Sequence, residues 1–164
     1  MSLSDRLVAQ SLVAICLMAL ALALVAQFVF GLRPCELCLI QRGPFVIAAL
    51  LAAWSLRRAV PSVLRLKVLR LAGLVLLLNG AIAVYHVGVE QHWWESAVCP
   101  ASTDEQVSVE DLMAQMNKPV EVHCDQPAWS LYGITMAAMN IPFSTGLGLA
   151  VLVVLRRRRQ EEPS

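Results

Sequence analysis

The stretch Leu7–Leu32, LVAQSLVAICLMALALALVAQFVFGL, runs for 26 residues without a charge. A helix needs roughly 20 apolar residues to cross the hydrocarbon core of a bilayer, so this segment is long enough to span. It is too long for the apolar region of a secretory signal peptide, about 7–15 residues. Its Ala19-Leu20-Ala21 element also lies inside the apolar run rather than after it. The segment therefore reads as an uncleaved first helix over about residues 10–31.

Three more stretches of the same kind follow. Gly43–Leu56 is uncharged, and extends back through Leu37 to Ile40 if Arg42 is tolerated. Leu71–Val89 has no Asp, Glu, Lys or Arg and only His86 as a group that charges near neutral pH, and Gln126–Leu155 is uncharged. They predict helices over about 36–56, 69–89 and 129–155, joined by outward loops over about 32–36 and 90–128. The fold class is an all-α membrane protein, a four-transmembrane-helix bundle forming one integral membrane domain over 1–164. The composition agrees: 58% of residues are hydrophobic and only 15% charged, against about 25% charged in a soluble domain. Mean hydropathy is +0.65. The net charge of +1 is segregated along the chain rather than gathered on a basic face, so nucleic acid is not an expected partner and the lipid bilayer is.

That segregation sets the orientation. Arg57, Arg58, Arg65, Lys67 and Arg70 lie between the second and third helices, and Arg156–Arg159 follow the fourth. Short loops rich in Lys and Arg stay in the cytoplasm, which places both termini there. The 90–128 loop carries eight acids against the single base Lys118 and faces outward. In a bacterial inner membrane, outward is the periplasm, where disulfides form and persist.

Four of the five cysteines fall on that side. The run Arg33-Pro34-Cys35-Glu36-Leu37-Cys38-Leu39-Ile40-Gln41-Arg42 sets Cys35 and Cys38 three apart at the mouth of the second helix. Proline suits a first helical turn because it has no N–H to leave unpaired. Free N–H groups there favour a thiolate over a thiol. Arg42, four residues beyond Cys38, shares its face on a continuous helix and would favour the thiolate further. Pro44 predicts a kink or an irregular turn near Gly43-Pro44.

Cys99 and Cys124 lie 25 positions apart in the outward loop. Within that loop Ser108-Val109-Glu110-Asp111 fits a capping box. Val109, Leu112, Met113 and Met116 follow at helical spacing, predicting a short amphipathic helix in the second periplasmic loop. Trp93 and Trp94 suit the membrane interface. Cys16 reads as a small apolar residue of the first helix. His86 and Asn79 share a face of the third helix, with His86 near the level of Cys38 and Arg42, where an oxygen-rich lipophilic ring such as a quinone could be held. Pro142 predicts a kink in the fourth helix, and Met136, Met139 and Asn140 read as packing residues.

These residues give three readings. Two facing dithiols suggest a redox relay, since exchange needs a donor pair and an acceptor pair. Two static disulfides would be purely structural. A small metal site would draw on Cys35, Cys38, Cys99, Cys124 and His123, although only the CxxC matches a compact ligand spacing.

The chain resembles the disulfide bond formation protein B (DsbB) family of bacterial inner-membrane thiol:quinone oxidoreductases. The resemblance rests on four spans and on the Pro-Cys-x-x-Cys-x-x-x-Arg run at 34–42. It also rests on His86, on the spaced pair Cys99 and Cys124, and on Trp129 with Leu131-Tyr132-Gly133. It implies that a periplasmic DsbA-like thioredoxin-fold protein attacks a Cys99–Cys124 disulfide and becomes bonded to Cys99. Cys124 then attacks a Cys35–Cys38 disulfide at Cys35. Cys38 passes electrons to ubiquinone (or menaquinone under anaerobic conditions), with Arg42 and His86 at the quinone and no metal involved. The chain departs from the family pattern at Glu36, where an apolar residue is common, and at Gln41, an acid in some members. Such departures fit a paralogue with altered partner choice. Vitamin K epoxide reductase-like proteins share the dithiol–quinone logic but place CxxC late in the chain, and the cysteine order here argues against them.

Overall fold

The computed structural model describes residues 3–99 and 122–161. Helix α1 spans Leu3–Phe28, α2 Glu36–Ser55, α3 Ser62–Glu90 and α4 Met136–Glu161. All four are long and apolar enough to cross a membrane. Their surfaces fit that solvent: Met18, Leu22, Leu50, Val63 and Leu78 are exposed large hydrophobics, a pattern that would be costly in water and is neutral against lipid. The predicted amphipathic segment around 108–116 lies outside the described residues.

Sequence neighbours pack together: α1 on α2, α2 on α3 and, most extensively, α3 on α4. Lipid competes equally for apolar side chains, so close backbone approach is what drives such pairs. On α2 the buried contacts are Ala48, Ala49 and Ala52, which meet Leu69, Ala72 and Leu76 of α3 and Ala9, Leu12 and Cys16 of α1 in one cluster. Between α3 and α4 the spacers are glycines. A Cβ on Gly148 would sit 2.7 Å from the Gly73 carbonyl oxygen, and one on Gly80 would overlap Thr145.

The α2–α3 turn is held by buried Arg65. It donates to the carbonyls of Ser55 at 2.8 Å and Val60 at 2.9 Å, satisfying acceptors that a helix end leaves open. At the far end of α3 the amide of Trp93 donates to Gly88 and that of His92 to Val89. This is a Schellman closure with His92 at φ 57° in the position usually given to glycine. It folds the Trp94 indole over Gly88 and onto Tyr85, whose carbonyl accepts from Nε1 at 3.0 Å.

Three helices start elsewhere than expected. α1 and α3 begin earlier, at Leu3 and Ser62, because charged first turns continue the helix beyond its apolar part. The fourth helix begins at Met136 rather than near 129. Residues before it form an antiparallel hairpin, β1 (Ser130–Leu131) with β2 (Ile134–Thr135), turned by Tyr132 at φ 51° and Gly133 at φ 82°. Two successive positive φ values define the type I′ turn. Helix α2 runs through Pro44 and α4 through Pro142 without a break in helical assignment.

Candidate active site: two cysteine pairs at one end of the bundle

The backbone at Cys35 is extended (φ −76°, ψ 171°), and Cys35 is the N-cap of α2, its Sγ accepting the Cys38 amide at 3.4 Å. Pro34 stands one residue further out, so the sulfur rather than the ring occupies the capping position. Capping and the CxxC spacing together bring the two sulfurs to 2.9 Å. Both cysteines are free. Cys35 lies just outside the spanning part of α2. Its thiol is drawn well below the ordinary thiol range by the hydrogen bond to Cys38, with burial opposing and His86 assisting.

The second pair sits on top of the first. Cys99 and Cys124 are joined in a disulfide, and both are buried in a cluster with Cys35, Leu37 and Val89. The Sγ atoms of Cys35 and Cys124 and a ring nitrogen of His86 all lie within 4.8 Å of one another. The disulfide takes Cys99 and Cys124 out of the thiolate ligand set that the metal reading needs. Among the described residues, the contact is sulfur facing sulfur.

His86 is 2% exposed. Its Nε2 lies 3.5 Å from Cys35 Sγ and 3.8 Å from Glu90 Oε1. Its Nδ1 lies 3.0 Å from the Gln41 side-chain nitrogen. Gln41 Oε1 accepts from Asn140 at 2.8 Å, Asn140 Oδ1 from the Ser144 hydroxyl at 2.7 Å, and Ser144 Oγ from Asn79 at 3.0 Å. Glu90 Oε2 accepts from the Thr135 hydroxyl at 2.6 Å, while Thr135 Oγ accepts the Ala138 amide as the N-cap of α4.

Two cavities meet at this centre. A small one of about 30 Å³ is lined by Arg33, Cys35, Cys38, His86, Glu90 and Trp129. A larger one of about 390 Å³ lies between α1, α2 and α4, within the roughly 300–1,000 Å³ typical of small-molecule sites. Its polar lining includes Cys38, Arg42, His86, Gln27, Gln41 and Asn140, and its walls Leu20, Ala23, Phe45, Met136 and Phe143. Arg42 Nη1 donates to Gln27 Oε1 at 2.7 Å, so the intramembrane guanidinium is paired across to α1.

Cys35, Cys38, Cys124 and His86 are thus brought together. Cys99 is joined to them through its disulfide, and Arg42 shares the larger cavity with Cys38 and His86. Asn140, Met136 and Met139, which the sequence reads as packing residues, also line that cavity. Glu90, counted among the loop acids, is buried at the end of α3. Gln27, Thr135 and Ser144 went unnoticed. Their one signal was a polar side chain within an uncharged run, which in a membrane helix marks an interhelical contact or a site.

A membrane helix bundle that holds a free dithiol against a disulfide defines a membrane thiol–disulfide oxidoreductase. The family model for disulfide bond formation protein DsbB matches residues 5–154. The chain belongs to that family and is an enzyme of its thiol:quinone oxidoreductase class. It is 30% identical over 157 residues to disulfide bond formation protein B of Chromohalobacter salexigens, covering 87% of this chain and 88% of the relative. It is 26% identical over 148 residues to disulfide bond formation protein B 2 of Pseudomonas savastanoi pv. phaseolicola, covering 85% and 82%. An uncharacterized Rickettsia prowazekii protein is 26% identical over 133 residues. No solved structure matches the chain.

Proposed function

We propose that the protein oxidises a periplasmic DsbA-like dithiol protein of the thioredoxin fold and passes the electrons through two cysteine pairs to membrane quinone, sustaining disulfide formation. The carrying observation is the approach of Cys124 to Cys35 and His86 within 4.8 Å, beside a cavity that Cys38 and Arg42 line. The protein sits in the inner membrane with both termini cytoplasmic and both pairs periplasmic. The basic α2–α3 turn and the tail of α4 support this orientation.

The exchanges balance as follows. A partner thiolate attacks Cys99, the Cys99–Cys124 bond breaks, and Cys124 leaves as a thiolate. Cys124 attacks Cys35 of the Cys35–Cys38 disulfide and expels Cys38. The partner's second thiol resolves its bond to Cys99 and departs oxidised. Cys99 then attacks Cys124, which restores the loop disulfide and releases Cys35. Two electrons and one proton now reside on the Cys35–Cys38 pair, one sulfur as thiolate and the other as thiol. The short reach from Cys124 favours Cys35 as the sulfur attacked, and a thiolate-stabilising environment speeds its departure.

The larger cavity fits a quinone head: aromatic and aliphatic walls, with a guanidinium and amides for its oxygens. A quinone bound there supplies a two-electron, two-proton acceptor that returns Cys35 and Cys38 to a disulfide. Arg42, held by Gln27, and His86 would hold the ring in the cavity that Cys38 lines. Ubiquinone is the expected species, with menaquinone under anaerobic conditions.

The test is anaerobic mixing of oxidised protein with a reduced thioredoxin-fold partner and a soluble ubiquinone analogue, following quinone absorbance. Cys99→Ala and Cys38→Ser should each abolish quinone loss. Turnover that survives Cys38→Ser refutes the relay, and intact disulfides with no quinone loss return the static-disulfide reading.

A further inference from the structure

The hydrogen-bond chain behind His86 runs deeper than the reacting groups require. It begins at Asn79, passes through Ser144, Asn140 and Gln41, and ends on the ring. Asn79 and Ser144 are 0% exposed, and neither lines a cavity beside the cysteines. Three helices supply its members: Gln41 from α2, Asn79 and His86 from α3, and Asn140 and Ser144 from α4.

Its direction follows from its outer end. Thr135 Oγ accepts an amide proton, so its own hydroxyl proton goes to Glu90. Cys35 Sγ, already an acceptor for the Cys38 amide, lies 3.5 Å from Nε2 of His86, and Glu90 Oε1 lies 3.8 Å from it, so a ring proton on Nε2 meets both. In the neutral ring Nδ1 is a lone pair, so Gln41 presents its NH₂ to it. The remaining choices are forced in turn. Gln41 Oε1 takes an Asn140 proton, Asn140 Oδ1 takes the Ser144 hydroxyl, and Ser144 Oγ takes the Asn79 NH₂. For the neutral Nε2–H ring, the connectivity sets each side-chain amide orientation. Every donor in the chain points towards Cys35, and Asn79 Oδ1 is left at the inner end as a buried acceptor with no partner among the described residues. An unpaired buried acceptor costs about 1–3 kcal/mol. Reversing the chain would pair that oxygen but turn the Nε2 lone pair onto Cys35.

We infer that Asn140 and Ser144 are positioning residues for the dithiol: through Gln41 they hold His86 as an Nε2–H donor aimed at Cys35. Aligned donors polarise one another, so the chain stabilises a thiolate at Cys35 and disfavours the tautomer that turns an Nε2 lone pair towards it. The charged and titratable groups facing His86 are Cys35, Cys38 and Arg42 of the α2 segment, Glu90 on its own helix, and Arg33 across the small cavity. From α4 only neutral groups reach it. The inference rests on the dithiol being the redox centre, but not on the identity of partner or quinone.

The test uses full-length, quinone-free protein with Cys16→Ala, Cys99→Ala and Cys124→Ala, so that thiolate absorbance reads only the reduced Cys35–Cys38 pair. Asn140→Leu is expected to weaken the first thiol acidity about tenfold, the scale of one hydrogen bond to a charged group. Ser144→Ala, acting from further off, shifts it the same way by about threefold. Neither substitution adds to the effect of His86→Phe, because the chain acts only through the ring. Unchanged acidity in a folded Asn140→Leu protein overturns the inference, as does a shift that persists with His86→Phe. If Asn140→Leu does not fold, Ser144→Ala, which removes a single oxygen, decides alone. The readout needs no turnover, so failure of quinone reduction in the parent protein refutes the relay and leaves this measurement standing.

Discussion

The reduced Cys35–Cys38 pair is expected to change its potential with pH at half the usual slope. A dithiol that takes up two protons with two electrons falls by about 59 mV per pH unit, whereas one that takes up a single proton falls by about 30 mV, since tenfold in the equilibrium constant is 29.6 mV for a two-electron couple. The sulfurs are 2.9 Å apart, within reach of one shared proton, and the Cys35 thiol is held well below its ordinary range by that bond and by His86. The sign follows directly. A depressed thiol stabilises the reduced form at any pH above the depressed value, and that stabilisation is lost only as pH falls through it. Across the neutral range the pair therefore carries one proton, and the shallow slope applies. The assay equilibrates quinone-free protein with thiol redox buffers over a pH series and counts reduced cysteines by alkylation mass shift. A slope near 59 mV per pH unit through neutrality would refute the reasoning, because it requires both sulfurs to be protonated.

Three further outcomes are expected. Cys38→Ser leaves Cys35 beside an intact disulfide, so Cys35 should attack Cys124 and a stable Cys35–Cys124 bond should accumulate, as peptide mapping of unreduced protein would show; only Cys99–Cys124 in the map contradicts the geometry. Gln27→Leu strips the Arg42 guanidinium of its 2.7 Å acceptor and should raise the KM for a soluble quinone analogue about tenfold, with single-turnover oxidation of the thiol partner as the control. Gly148→Val forces side-chain atoms onto the Gly73 carbonyl and should destabilise the α3–α4 pair by about 1–3 kcal/mol. This would be read as a lower Tm in detergent, and an unchanged Tm would show that the helices can separate without loss.

The spanning helices were legible because a bilayer demands long uncharged runs, and Leu7–Leu32 or Leu71–Val89 have no other use in a short chain. Cys35 and Cys38 were legible because few structural roles place two cysteines three apart beside a basic residue. The hairpin at 130–135 was hidden because no charge interrupts Gln126–Leu155, so strands of two residues and the start of a helix look alike to charge counting there. Its turn is also made by Tyr132, not by the asparagine or aspartate that usually signals such a hairpin. Asn140 was hidden for a different reason. Its partner Gln41 is 99 positions away, and a single polar residue in an apolar run does not name the residue it meets. Glu90 was misplaced because charge counting assigns every acid after a helix to the loop, whereas Thr135 draws this one into the bundle.

The two departures at the first cysteine pair have opposite weights once placed in three dimensions. Glu36 is exposed at the first turn of α2, whereas Cys35 is buried. Its side chain is exposed near the positive end of the helix dipole, where an acid is favourable and its effect on a buried thiolate is screened. Gln41 is the consequential position. A glutamine can donate to Nδ1 of His86, which commits the ring to an Nε2 proton facing Cys35. A carboxylate at 41 has no proton to give and would instead accept from Nδ1–H, leaving the neutral ring with a bare Nε2 turned to the sulfur. It would also have no use for the amide chain through Asn140 and Ser144 in its present direction. The neutral residue at 41 and the polar ladder on α4 are therefore parts of one arrangement, in which the protein stabilises the Cys35 thiolate by oriented neutral dipoles rather than by a second buried charge.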